Sequence, residues 1–178
     1  MKYTWHYPSP LGDITLASDG TAITGLWFDG QKRFGQGLAD GHTETHLPVF
    51  DEAARWLDAY FGGAAPDFTP PLHLSATPFE SAVWQLLLKI PYGETVTYGA
   101  LAQALEAQTG RRVSARAVGG AVGRNPVSLI VPCHRVVGER GALIGYAGGV
   151  ERKARLLALE QRRLQVCWHT NLIITTYL

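Results

Sequence analysis

The stretch Ile130-Val131-Pro132-Cys133-His134-Arg135-Val136-Val137-Gly138 carries an apolar run to a proline and then presents a thiol, an imidazole and a guanidinium in succession. Side chains that follow one another on an extended strand point to opposite faces, so Cys133 and His134 cannot act together if a strand simply continues. Pro132 is therefore expected to mark a bend that presents the thiol. A cysteine with an ordinary pKa of about 8.5 is mostly protonated at neutral pH, and a nearby base or positive charge makes it a nucleophile. The structural alternative is a buried, inert cysteine, the commoner fate of an isolated free thiol. The surrounding chain has to decide between them.

Upstream of this stretch, Val127 to Val131 reads as a short apolar strand. Before it, Thr97 is placed to cap a helix over Tyr98 to Leu105, and Ser114 to cap a second over Ala115 to Val122, closed by Gly123 and Asn125-Pro126. Two short helices joined by a tight linker predict a helix-turn-helix. The second carries little bulk at Ala115, Ala117, Gly119, Gly120 and Ala121, while Arg116 projects from its first turn. Close approach to another surface and tight helix packing both fit that composition. Thr77-Pro78-Phe79-Glu80 has the capping-box pattern and predicts a helix from Pro78 to about Ile90, with Trp84 in the core.

Downstream, Gly138-Glu139-Arg140-Gly141 predicts a hairpin turn into Ala142 to Ile144, followed by the glycine-rich loop Gly145-Tyr146-Ala147-Gly148-Gly149. Val150 to Leu164 reads as a helix with Val150, Ala154, Leu157 and Leu164 toward the core and Glu160 beside that stripe, within reach of an inward polar partner. Arg152, Lys153, Arg155, Arg162 and Arg163 read as a solvated helix face. Cys167 to Leu178 reads as a β-prone tail.

In the N-terminal part, Lys2 to Tyr7, Asp13 to Ser18 and Ala22 to Phe28 read as strands joined by turns at Pro8 to Gly12 and at Asp19-Gly20. Asp29 to Leu47 reads as a surface loop, and its His42-Thr43-Glu44-Thr45-His46 as a polar turn instead of a metal site. Pro48 opens a helix whose Val49, Ala53, Trp56, Leu57, Tyr60 and Phe61 share one face. The proline-rich segment Ala64 to Ser75 then predicts a boundary. The expected architecture is α+β, with a small N-terminal sheet-plus-helix domain (residues 1–75) packed on a mainly helical C-terminal domain (residues 76–166). That second domain carries the helix-turn-helix and Cys133, and residues 167–178 form a tail.

Composition bounds the rest. A hydrophobic fraction of 46% with 17% charged residues is ordinary for a globular chain of 178 residues. No apolar run is long enough for a bilayer and no secretory leader is recognisable, so a cytoplasmic protein with reduced Cys133 and Cys167 is expected. The net charge of +1 is not that of a general phosphate binder.

Beyond these readings, the chain resembles the O6-alkylguanine-DNA alkyltransferases, the methylated-DNA-protein-cysteine methyltransferases. The likeness rests on Pro132-Cys133-His134-Arg135-Val136 together with Thr77-Pro78-Phe79, Ile90-Pro91-Tyr92-Gly93-Glu94-Thr95, Tyr98-Gly99, Ala115-Arg116-Ala117-Val118-Gly119, Asn125-Pro126, Gly145-Tyr146 and Leu156-Leu157-Ala158-Leu159-Glu160. It covers nearly all of the second half in the family's order and the first half more loosely, at Pro10-Leu11-Gly12 and the later helix.

The resemblance implies a ribonuclease H-like N-terminal domain and direct damage reversal, in which Cys133 takes the alkyl group from O6 of guanine once and irreversibly. It further implies that His134 deprotonates the thiol through a water, that Glu160 supports the imidazole, that Tyr98 donates to the departing base and that Asn125 holds the thiol-bearing turn. Arg116 would replace an extruded nucleotide, with Ser114, Ala115, Ala117, Gly119 and Arg124 at the DNA and Val136, Tyr146, Ala147 and Gly148 around the alkyl group and base. No cofactor and no metal are implied; the implied partner is double-stranded alkylated DNA, met by a monomer and away from membranes. Ala147 departs from the serine frequent at that place, which removes one hydroxyl and predicts a broader pocket, tolerant of larger alkyl groups or O4-alkylthymine. The rival readings are a lesion sensor, which would lack the acceptor cysteine, and a cysteine hydrolase, which would turn over.

Overall fold

The computed structural model describes residues 2–38 and 41–173, with side chains of the last helix as far as Gln161. Three of its strands, β1 (Tyr3–Tyr7), β2 (Ile14–Ser18) and β3 (Ile23–Phe28), form an antiparallel meander, and β4 (Thr43–Glu44) adds to β1 in parallel, giving the order β3-β2-β1-β4. The Asp19-Gly20 turn forms as the sequence predicts. Asp19 Oδ1 accepts from the amides of Thr21 and Ala22 at 3.0 Å each, and Gly20 takes φ +113°, a conformation that suits glycine. The predicted loop Asp29 to Leu47 thus contains one short strand, and its His46 lies 2.8 Å from Asp51.

Helix α1 (Pro48–Phe61) packs on β2 and β3 and buries Val49, Phe50, Ala53, Trp56, Leu57 and Tyr60. In the second half, α2 (Pro78–Leu87) begins in the predicted capping box: Thr77 Oγ1 accepts from Glu80 N, and the Glu80 carboxylate accepts from Thr77 N at 3.0 Å. Next come β5 (Val96–Thr97), α3 (Tyr98–Thr109) and α4 (Ala115–Val122). Helix α3 outruns its predicted end at Leu105, because the left-handed stop that closes it is Gly110, at φ +66°. Glu106 Oε1 accepts from Val113 N at 2.7 Å and braces the turn into α4. Val118, Ala121 and Val122 bury one face of α4, and Trp84 Nε1 donates to the Ala121 carbonyl at 2.9 Å.

Three elements differ from the sequence reading. Val127 to Val131 is a buried coil and not a strand, with a single bridge between Leu26 and Val127. A short apolar run looks the same whether it is strand or buried turn; here the Asn125 amide captures the carbonyls of Val127 and Val131, and Leu129 takes φ +69°. The hairpin expected after the thiol is replaced by β6 (Val136–Val137), which pairs in parallel with β5 instead of with Ala142 to Ile144.

The last helix, α5 (Val150–Ile173), runs through the predicted tail, since no glycine or proline interrupts residues 150–173; residues 174–178 lie outside the described residues. Its inward face also differs from the expected one. Lys153, Leu156, Leu157 and Glu160 are buried, Val150 is exposed, and Leu164 lies outside the described side chains. Lys153 is thus no part of a solvated face, and Arg152 is half-buried; both are held by carbonyls, as a buried cation requires.

The two halves share one hydrophobic core. Leu26 N donates to the Pro126 carbonyl at 2.8 Å, and Ser128 N donates back to Leu26 O at 3.0 Å, so the edge strand β3 is stitched to the coil that leads into Cys133. No helix of the described residues is long and apolar enough to cross a membrane.

Candidate active site

Pro132, at φ −80° and ψ 62°, ends the coil, and Cys133 to Arg135 form one 3-10 turn, the bend the sequence predicts. All three side chains are buried. Burial pushes the Cys133 thiol up, while the Asn125 amide and the Lys153 ammonium pull it down without cancelling the rise. A thiol held in that state needs a base. His134 is fully buried, and burial holds its pKa below the ordinary value despite the Glu160 hydrogen bond.

The imidazole Nε2 lies 2.6 Å from Glu160 Oε1 and 3.2 Å from the Tyr60 hydroxyl. Nε2–H donates to the carboxylate, which leaves Nδ1 as the free lone pair; Nδ1 has no hydrogen-bond partner among the described residues. Glu160 also accepts from Tyr60 Oη at 2.7 Å, from Arg135 Nε at 2.9 Å and from Gly93 N at 2.9 Å. Burial works to raise this carboxyl, but the His134 hydrogen bond and the Arg135 guanidinium outweigh it and bring its pKa to about 2. A buried charge survives only with partners of this kind.

A cavity of about 220 Å³ opens onto Cys133, lined by Tyr98, Gly119, Val122, Gly123, Gly145, Tyr146 and Ala147, with Lys32 and Arg33 reaching in from the N-terminal half. Tyr98 Oη lies 3.3 Å from the carbonyls of both Ile144 and Gly145, and burial raises its pKa with a further contribution from the Cys133 thiolate. A second hollow of about 450 Å³ shares Tyr98, Gly119 and Gly145 and adds Ala115 and the exposed Arg116, but not Cys133. Ser114 Oγ caps α4 by accepting from Ala117 N at 3.1 Å.

Several of the expected residues lie elsewhere. Val136 is fully buried in β6 and Gly148 turns its carbonyl to Arg152; neither is among the residues lining the cavity. Gly148 acts through what it lacks, since a Cβ there would fall 2.6 Å from the Tyr146 ring. Arg124 is paired with Glu80, and Ala117 faces a separate groove with Phe79 and Leu105.

Sequence reasoning missed Tyr60, Arg135 and Lys153. Its pattern places Tyr60 only on the face of a distant helix, and nothing local says that the helix ends against His134. Lys153 carried a legible signal: it stands three, four and seven residues before Leu156, Leu157 and Glu160, on their helical face. Its ammonium donates to the carbonyls of Val136, Ile144 and Gly145, and burial lowers its pKa to about 8.

Comparison with known proteins places the chain in a family. The family model of the 6-O-methylguanine DNA methyltransferase ribonuclease-like domain matches residues 1–74, and that of the same family's DNA binding domain matches residues 78–162. A methylated-DNA–protein-cysteine methyltransferase of Mycobacterium leprae is 45% identical over 160 residues, 88% of this chain and 90% of the relative. The crystal structure of the Mycobacterium tuberculosis O6-methylguanine methyltransferase superposes with a TM-score of 0.78 at 42% identity, over 92% of this chain and 94% of that one. That of Mycobacterium tuberculosis OGT in complex with DNA gives 0.75 at 41% identity, over 91% and 93%. A cysteine acceptor turn, a helix-turn-helix beside it and matches across both halves lead to one assignment: the chain belongs to the 6-O-methylguanine DNA methyltransferase family.

Proposed function

We propose that this chain repairs alkylated DNA by direct reversal, with Cys133 as a single-use acceptor. The observation that carries the reading is the buried Cys133-His134-Glu160 array at the end of a cavity whose mouth adjoins the helix-turn-helix. Displacement at an unactivated alkyl carbon needs a soft, strong nucleophile and a stabilised leaving oxygen. In this reading His134 Nδ1 takes the thiol proton through one water, and Glu160 stabilises the imidazolium that results. The Cys133 sulfur forms a bond to the alkyl carbon as the bond from carbon to O6 breaks, and the electron pair passes into the guanine ring. Tyr98 Oη exchanges its long carbonyl contacts for the departing base and donates to it. Asn125 keeps the turn before Cys133 coiled.

The target carbon is out of reach in a stacked duplex, so the nucleotide is extruded at a cost of a few kcal/mol. Arg116, on the first turn of a helix slim enough for the minor groove, fills the vacated stack, with Ser114, Ala115 and Gly119 along the same approach. Ala147 at the cavity wall supports tolerance of larger alkyl groups and of O4-alkylthymine. The protein acts as a monomer, and a reduced Cys133 suits the cytoplasm.

Intact-protein mass measurement tests the reading. Duplex DNA carrying O6-methylguanine should add one methyl group to Cys133 and then stop; unmodified cysteine with intact lesion overturns it, and lesion loss beyond one equivalent favours a hydrolase. Transfer rates from methyl and benzyl adducts test the pocket, where a strict methyl preference overturns the broad specificity.

A further inference from the structure

Arg152 occupies the first turn of α5, where a cation opposes the helix dipole, so local helix physics gives no reason for an arginine there. Its side chain is instead used across the domain contact. Nη1 donates to the Gly148 carbonyl at 2.7 Å, Nε donates to the Leu11 carbonyl at 2.9 Å, and Cζ lies 4.3 Å from the centre of the Phe28 ring. One guanidinium therefore touches the cavity loop, the β1–β2 turn and the end of β3 at once. The turn is shaped to receive it: Gly12 has φ +110°, and a Cβ there would come within 3.1 Å of Nη2. A second tie holds the same loop from the same side, since Lys32 N donates to the Ala147 carbonyl at 3.0 Å.

We infer that Arg152 is a positioning residue that fastens the Tyr146–Gly149 loop to the N-terminal sheet and thereby sets the width of the alkyl pocket. The inference rests on the repair reading above and gives the N-terminal half a part in specificity. Tyr146 and Ala147 line the cavity wall, and their backbone position depends on two carbonyls, Ala147 O and Gly148 O, both captured from outside the loop. The planar fork of arginine serves two carbonyls and a ring face together, whereas a lysine ammonium acts as a point donor. Loosening the loop widens the cavity, which favours a bulky alkyl group over methyl.

The test compares wild type, Arg152→Met and Arg152→Lys on one duplex carrying either O6-methylguanine or O6-benzylguanine, scored as Cys133 alkylation by mass. Arg152→Met should raise the benzyl-to-methyl rate ratio at least fivefold, and Arg152→Lys should restore part of the wild-type ratio. Hydrogen exchange at the amides of residues 145–149 should quicken in the same order. A ratio and an exchange pattern equal to wild type overturn the inference even if thermal stability falls. Should Arg152→Met fail to fold, Arg152→Lys carries the test with the same readings. If wild type alkylates on neither substrate, the repair reading fails, and the exchange measurement alone decides whether Arg152 positions the loop.

Discussion

The site chemistry turns on where single protons sit. Glu160 serves His134, Arg135, Tyr60 and Gly93 together, so its replacement removes one charge and strands another. Glu160→Gln should slow alkyl transfer about 10²-fold or more, the usual scale of a lost acid-base array. It should also destabilise the fold by about 3–5 kcal/mol, because Arg135 stays buried without its carboxylate; rate assays and denaturant titration check the two effects separately. The pH dependence follows from two depressed pKa values. His134 is held below 6.5, so the unfolded chain takes up that proton first and stability declines as pH falls through 6.5. Glu160, at about 2 instead of 4.5, adds a second loss between those values in the same direction. Melting temperatures should therefore fall in two stages on acidification, while the rate with free O6-benzylguanine should decline at a lower pH than an ordinary histidine would impose, because burial favours the neutral imidazole. At this scale Cys133, His134 and Glu160 were legible as reactive types at suggestive places. Tyr60 and Arg135 were not, since each acquires its role only from what is packed against it, and for Lys153 the spacing shows a place on the inward helical face but not the carbonyls that hold it there.

Among the elements, helix caps were the most legible features, because each is written in a few adjacent residues. Thr77, Thr97 and Ser114 all cap as their spacing predicts. Thr77→Ala should cost about 1 kcal/mol and lower the melting temperature by about 2–4 °C in a chain of this size, read by calorimetry. Helix α4 combines a buried Val118-Ala121-Val122 face with an exposed Arg116. Arg116→Ala should slow repair of duplex DNA about tenfold more than reaction with free O6-benzylguanine, which needs no extrusion; equal losses on both substrates count against its role. The coil Val127 to Val131 and helix α5 depart from their sequence patterns for opposite reasons. In the first, an Asn125 side chain overrode the strand propensity of an apolar run; in the second, β-prone residues stayed helical because nothing stops the helix.

The whole molecule behaves as two sequence-contiguous halves with one core. Because Leu26 pairs with the Pro126–Ser128 coil and Tyr60 reaches the His134 network, thermal unfolding should be one transition, with tryptophan fluorescence and far-ultraviolet circular dichroism coinciding. Separate midpoints would show that the halves unfold independently. The turn at Cys133, the helix caps, the strand meander and the family are written in residue types close together along the chain. Packing in three dimensions is what gives Tyr60 and Glu160, 100 residues apart, a shared hydrogen bond beside His134, buries the cations of Arg135 and Lys153, and lets Arg152 tie the cavity loop to the first sheet. Those contacts are long-range, and a buried charge is chosen by the partners that three-dimensional packing brings to it, which no local pattern records.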